Sequence, residues 1–234
     1  MMIIAIILAG GTGTRLGGDI PKQYIEVKGK PIISYCLERF EKHKDIESII
    51  IVATSSWYDF IQEVIVENKI TKFSGFAEAG ENRQHSILNG MKKAFVNGAC
   101  NMDSIVIHDA ARPNVSDRII TECINNLENA DGVMPVVAAK DTYYYSEDGT
   151  SISSLINRDK LVAGQAPESF SLGKYYSLHD GLSISDLGNI RGSCEIAYSR
   201  GLNIRLIKGD EHNYKITTIE DLEKFRQERE RENH

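Results

Sequence analysis

Residues 6–24 read IILAGGTGTRLGGDIPKQY: an apolar run passes straight into a cluster of five glycines with Arg15 inside it, and Lys22 follows. The apolar part, Ile3–Leu8, is continuous and short, as expected of a strand covered on both faces. A glycine cluster costs backbone entropy and marks a tight turn or a ligand pressed against the main chain. In an open α/β sheet the favoured ligand position lies beyond the carboxyl end of a strand, at the first strand-to-helix turn. Main-chain N–H groups there form an anion cradle, and the following helix start adds positive potential. A dinucleotide fingerprint would continue Gly-x-Gly-x-x-Gly, but residues 11–16 read GTGTRL and fail at the third glycine. A Walker loop fails as well, because no Gly-Lys-Ser/Thr follows. Arg15 and Lys22 beside such a cradle suit a polyanion larger than one phosphate.

Outward from this stretch, strands and helices alternate. Residues 31–43, PIISYCLERFEKH, carry helical spacing, and IESIIIVAT (46–54) is β-rich. WYDFIQEVIVEN reads as a helix, KFSGFAEAG as a strand and SILNGMKKAF as a helix. DSIVIHDAARP is a strand entering a loop, Ser116 caps a helix through SDRIITECINNLENA, and DGVMPVVAA is one more strand. This rhythm predicts an α/β, Rossmann-like open sheet, mostly parallel, with helices on both faces. It breaks at 140–162, where Tyr143–Tyr145 and Ile152–Leu155 flank an Asp-Gly turn and predict a projecting β-hairpin arm. The α/β pattern then resumes through SLGKYYSLHDGL, CEIAYSRG and NIRLIKG, and closes with a helix from Thr218.

The 234 residues, 41% hydrophobic, suit one domain over 1–234 able to bury a real core. A net charge of −6 argues against a nucleic-acid partner. Cys36, Cys100, Cys123 and Cys194 show neither C-x-x-C nor zinc spacing and read as free thiols in a reducing compartment. The N-terminal run is too short for a membrane span and lacks a basic start and a cleavage site. The expectation is a cytoplasmic protein with no membrane partner.

LAGGTGTRLGGDIPKQY resembles the signature loop of nucleotidylyltransferases that activate phosphorylated metabolites. The PKQ triplet narrows the resemblance to the CTP-dependent alditol-phosphate cytidylyltransferases, the family of the methylerythritol-phosphate and ribitol-phosphate enzymes. Further segments match in the same order: GENRQHSILNG (80–90), HDAARP (108–113), KDT (140–142), NRDKL (157–161) and YKITTIEDL (214–222).

The resemblance implies a nucleotidyltransferase fold and transfer of CMP from CTP to a small phosphorylated polyol, releasing pyrophosphate. The backbone of Leu8, Ala9, Gly10, Gly11, Thr12 and Gly13, with Arg15, would hold the triphosphate, and Lys22 would bridge its phosphates. Ala9 and Gly10, together with Gly80, Glu81 and Ser86, would frame the cytosine, with Arg83 in the same nucleotide-binding segment. Asp109 would ligate Mg²⁺ and Arg112 would support its loop. Lys140, Asp141 and Thr142 would lie on the polyol side, and Lys215 would face the reacting phosphates. Arg158 would reach the substrate phosphate of a neighbouring subunit, in a homodimer that exchanges arms. His108, next to Asp109 on a strand, points the opposite way and reads as a core residue; Trp57 reads as packing.

Two segments depart from the pattern. The methylerythritol enzymes carry Thr-Pro-Gln after the arm, where this chain reads GQAPESF with Ala166 in place of the threonine. They carry Thr-Asp-Glu where this chain has Arg191, Gly192 and Ser193. The acceptor is therefore left open between methylerythritol phosphate, ribitol phosphate and another polyol or amino-alcohol phosphate for a surface polysaccharide. A non-catalytic nucleotide-binding homologue is the reading from another class.

Overall fold

The computed structural model describes residues 1–11 and 20–231. In chain order the strands are β1 (Ile3–Leu8), β2 (Glu26–Val27), β3 (Lys30–Pro31), β4 (Ser48–Ala53), β5 (Phe73–Glu78) and β6 (Ser104–Asp109). They continue with β7 (Gly132–Ala138), β8 (Tyr144–Tyr145), β9 (Ser154–Leu155), β10 (Val162–Gly164), β11 (Glu168–Ser171) and β12 (Ile204–Lys208). The helices are α1 (Ile32–Lys42), α2 (Tyr58–Glu67), α3 (Arg83–Val96) and α4 (Asp117–Asn125). After the arm come α5 (Leu172–His179), α6 (Ile184–Gly188), α7 (Ser193–Ser199) and α8 (Ile219–Arg231).

β1 is the centre of the sheet, paired in parallel with β4 on one side and β6 on the other. Its residues divide by parity, as a pleated strand requires. Ile3, Ala5 and Ile7 pack with Phe40 of α1, Ile61 of α2 and Ile120 of α4. Ile4 and Ile6 face Ile87 and Met91 of α3 and Tyr175 of α5. Both faces are covered, which is why the run is apolar without alternation. Full burial of one such isoleucine stabilises by about 1.5–3 kcal/mol. Gly90 lets α3 settle on β1, since a Cβ there would lie 2.7 Å from Cγ2 of Ile6.

The sheet runs β7-β11-β6-β1-β4-β5, with β12 parallel to β7 and β10 antiparallel to it. The open, mostly parallel architecture agrees with the sequence reading. β11 was not foreseen: it inserts antiparallel between β6 and β7. Its sequence, ESFS, is four residues long and reads polar. It is buried because its polar groups find partners: Ser169 Oγ donates to the Cys123 carbonyl at 2.6 Å and Glu168 meets Arg83. α3 also begins earlier than its apolar spacing predicts, because Asn82 caps it by accepting from the His85 N–H at 2.9 Å.

β8 and β9 form the antiparallel pair anticipated for the arm. Tyr144, Tyr145, Ile152 and Leu155 are all exposed on it. The described cysteines are free, and no helix among the described residues is long and apolar enough to cross a membrane.

Candidate active site

β1 stands where the order of the parallel strands reverses, the position at which open α/β sheets open a crevice beyond their carboxyl ends. In register, Leu8 at the end of β1 faces Asp109 at the end of β6. A cleft of about 410 Å³ opens there, lined by Leu8, Gly10, Gly11, Lys22, Gly80, Glu81, Arg83, Ser86, Asp109 and Lys215. Its size suits a small organic ligand. A larger cavity, about 650 Å³, lies between α1, residues 113–117 and α8, and none of the candidate site residues lines it. Chemistry decides between the two, and the cleft holds it.

The first turn is pinned from below. Gln23 Nε2 donates to the carbonyls of Ala9 (2.5 Å) and Gly11 (2.8 Å), and the Tyr24 hydroxyl donates to Ala9 at 2.9 Å. Tyr24 in turn stacks on Trp57 at 4.5 Å, which bears out Trp57 as a packing residue. Burial pushes the Tyr24 phenol up to about 12, so it remains a donor at neutral pH. Gly10 is required by close approach: a Cβ there would sit 2.4 Å from that of Ala79. Thr12, Gly13 and Arg15 lie outside the described residues.

The opposite lip is the turn before α3. The Gly80 N–H donates to Ser86 Oγ at 2.9 Å, and that hydroxyl donates to the Asn82 carbonyl at 3.0 Å. Ser86 thus shapes the turn through its hydroxyl. The Glu81 N–H donates to His85 Nδ1 at 3.3 Å, so His85 braces the same turn.

Asp109 is the electrostatic centre. Lys215 Nζ lies 3.1 Å from Oδ2, Arg112 Nε 3.5 Å from Oδ2 and Arg83 Nε 3.5 Å from Oδ1. Burial alone would raise the carboxyl's pKa; Arg83, Lys215 and Arg112 outweigh it and hold the group well below the usual carboxylate range. Arg112 stands behind Asp109, its Nη1 donating to the Asn213 carbonyl at 2.7 Å. The Ile216 N–H donates to the Ala111 carbonyl at 2.9 Å and so carries Lys215 into the cleft. Arg83 reaches beyond Asp109, donating Nη2 to Glu168 Oε2 at 3.2 Å and Nη1 to Ser193 Oγ. His108 is fully buried against Phe40, with Nε2 on the Arg112 carbonyl at 3.0 Å, as its place on the strand predicts.

Lys140, Asp141, Thr142 and Arg158 are not brought to the cleft of their own chain. Lys140 pairs with Glu211, and Arg158 Nη1 donates to the Lys140 carbonyl at 3.1 Å at the base of the arm. Gln23, Asn82 and Glu168 were missed as site residues. Gln23 stands in the PKQ triplet and Asn82 directly before a helix, so both had a local signal. Glu168 lies in the departing GQAPESF segment, but only the pairing of β11 brings it to Arg83.

Among the described residues no three His, Cys, Asp or Glu side chains cluster to hold a metal. Asp109 alone, ionised in a cleft, fits Mg²⁺, which keeps several waters and uses one or two carboxylates plus substrate phosphates.

The family model for IspD, 2-C-methyl-D-erythritol 4-phosphate cytidylyltransferase, matches residues 3–226. The chain belongs to this family. Members are CTP-dependent cytidylyltransferases, and the nucleotidyltransferase reading of the signature loop holds. Among solved structures, a 4-diphosphocytidyl-2C-methyl-D-erythritol synthase is 25% identical, with a TM-score of 0.79 over 97% of each chain. The Francisella tularensis 2-C-methyl-D-erythritol 4-phosphate cytidylyltransferase is also 25% identical, at TM-score 0.79 over 97% of this chain and 99% of its own. The synthase from Anaerococcus prevotii DSM 20548, 22% identical, shares the fold at TM-score 0.82 over 98% of this chain and 96% of its own.

Proposed function

We propose that this IspD-family chain transfers CMP from CTP to 2-C-methyl-D-erythritol 4-phosphate, with ribitol 5-phosphate as the competing acceptor. The observation that carries the reading is the pairing of Arg83 and Lys215 with Asp109, in a cleft that Gly10, Gly11 and Lys22 also line. An oxygen of the acceptor phosphate attacks the α-phosphorus in line; the new P–O bond forms as the bond to the β-phosphate oxygen breaks, and pyrophosphate leaves. That oxygen is already anionic at neutral pH, so positioning and charge neutralisation suffice, without a general base. The first turn, with Arg15, cradles the triphosphate and Lys22 bridges its phosphates. Gly80, Glu81 and the turn braced by Ser86 frame the cytosine, and Lys215 meets the reacting phosphates. Mg²⁺ on Asp109 would offset the charge of the triphosphate when bound.

The chain acts as one nucleotidyltransferase unit over 1–234, with 140–162 as a dimerisation arm. The exposed tyrosines and leucine of the arm support exchange with a second copy, which would bring Arg158 near the partner's acceptor. Lys140, Asp141 and Thr142 would line that side.

A pyrophosphate-release assay with CTP, Mg²⁺ and a panel of methylerythritol, ribitol, glycerol and amino-alcohol phosphates tests this. Release is expected only when a polyol phosphate is present. Asp109→Asn and Lys215→Ala are each expected to lower the rate by on the order of 10²–10³, as for other preorganised charge stabilisers. Full activity in both folded variants would overturn the reading. CTP binding without turnover on any acceptor would favour the non-catalytic homologue, for which the changed segment at 191–193 speaks.

A further inference from the structure

The two segments that depart from the family pattern lie far apart in sequence, yet one guanidinium joins them. Arg83 donates Nη2 to Glu168 on β11 at 3.2 Å and Nη1 to Ser193 at the start of α7. Only Nε remains toward Asp109, and it stands 3.5 Å from Oδ1, beyond ordinary hydrogen-bond length. Arg83 lines the cleft, whereas Glu168 and Ser193 stand behind it, exposed by only 7% and 0%. The negative charge of Glu168 therefore reaches the cleft through Arg83. It offsets part of the positive charge that Arg83 adds to those of Lys215 and Arg112 beside the same carboxylate.

We propose that Glu168 is a positioning residue which, with Ser193, holds both terminal nitrogens of Arg83 away from Asp109 and leaves that carboxylate able to take a divalent cation. The inference rests on the reading that CTP and a divalent cation share this cleft. Its signature is a pair of opposed effects. Removing the charge of Glu168 makes the surroundings of Asp109 more positive, which repels a cation and attracts a triphosphate.

The test measures Mn²⁺ binding by water-proton relaxation, and CTP binding in EDTA by calorimetry, on four full-length proteins. In Glu168→Gln, which keeps the side chain's shape, Mn²⁺ binding should weaken about 3–10-fold and metal-free CTP binding tighten by a similar factor, the scale of one screened charge several ångströms away. Ser193→Asp places a carboxylate against the same guanidinium and should move both affinities the other way. The double variant should return both toward wild type. Loss of both affinities together in Glu168→Gln, or no change in either, overturns the inference, because a merely structural role gives no opposed shift. Should Glu168→Gln fail to fold, Ser193→Asp decides alone: opposed shifts support the inference, while parallel or absent shifts overturn it. Wild-type protein that binds no CTP or no Mn²⁺ overturns the functional reading itself, an outcome separate from any pattern among the variants.

Discussion

The cleft is tied together by contacts between distant parts of the chain, whereas the arm is tied mostly to itself. Gln23 reaches the carbonyls of Ala9 and Gly11, Lys215 reaches Asp109, and Arg83 spans to residues 168 and 193. In the arm, the Ile156 N–H donates to the Tyr143 carbonyl, that of Ser153 to Tyr145, and Asp148 accepts from Thr150 and Ser151. Tyr144 is 54% exposed and Leu155 69%, on a two-stranded hairpin of a kind that is marginal by itself in water. One region is held together, over its described residues, by contacts within the chain. The other presents apolar surface with nothing of its own chain to cover it, which fits an element whose stability comes from a second copy.

That contrast breaks most sharply at the arm. Tyr144→Asp combined with Leu155→Asp places two charges on the exposed apolar surface while leaving the cleft untouched. Sedimentation should then show a monomer, and CMP transfer should fall by on the order of 10³-fold as Arg158 is withdrawn from the partner's acceptor. CTP affinity should stay near wild type, because neither Tyr144 nor Leu155 lines the cleft. A fully active monomer would sink the exchange. Loss of CTP affinity would show that the cleft is not finished within the chain.

His108 sharpens the other side of the contrast, the rigid scaffold under Asp109. Burial lowers its pKa from the ordinary 6.5 to about 4, so it is neutral in the folded protein at neutral pH. Between these values the unfolded chain binds a proton that the folded chain does not, and stability is lost as pH falls from about 6.5 toward 4. The loss attributable to His108 approaches roughly 3 kcal/mol at the acid end. Urea unfolding at pH 7, 5 and 4 should show a shallower acid decline in His108→Gln than in wild type. Parallel declines would mean that other groups carry the acid sensitivity.

The strand that centres the sheet was legible because its signal is local. The apolar run Ile3–Leu8 acts within itself, and the triplet at 21–23 lies close enough in sequence for Gln23 to reach Ala9 and Gly11. Asp109 was legible from its motif, although the clamp of Lys215, Arg112 and Arg83 upon it was visible only in part. Glu168 was illegible. ESFS carries no alternation of apolar and polar residues, its burial depends on Ser169 meeting α4 and Glu168 meeting Arg83, and no local pattern encodes either meeting. The capping Asn82 had a signal, but the apolar spacing from Ser86 onward outweighed it. The arm was legible as a hairpin from its Asp-Gly turn, while its partner surface lies outside anything one chain can encode locally.

The smallest expected effect lies in neither region. Ser116 caps α4, its Oγ accepting from the Ile119 N–H at 3.4 Å. That distance is long for an N–H donor, so Ser116→Ala should cost near the low end of the usual range for a lost cap, about 0.5 kcal/mol. Chemical denaturation should show that small shift, while pyrophosphate release and CTP affinity should stay at wild-type values. α4 nonetheless touches the sheet close to β11, through the contact of Cys123 Sγ with the Pro167 carbonyl at 3.3 Å. If Ser116→Ala were to lower CMP transfer without further loss of stability, fraying at the start of α4 would be reaching Glu168 and Arg83. The cleft would then depend on a helix that does not line it, and the line between a finished site and its surroundings would have to be drawn wider.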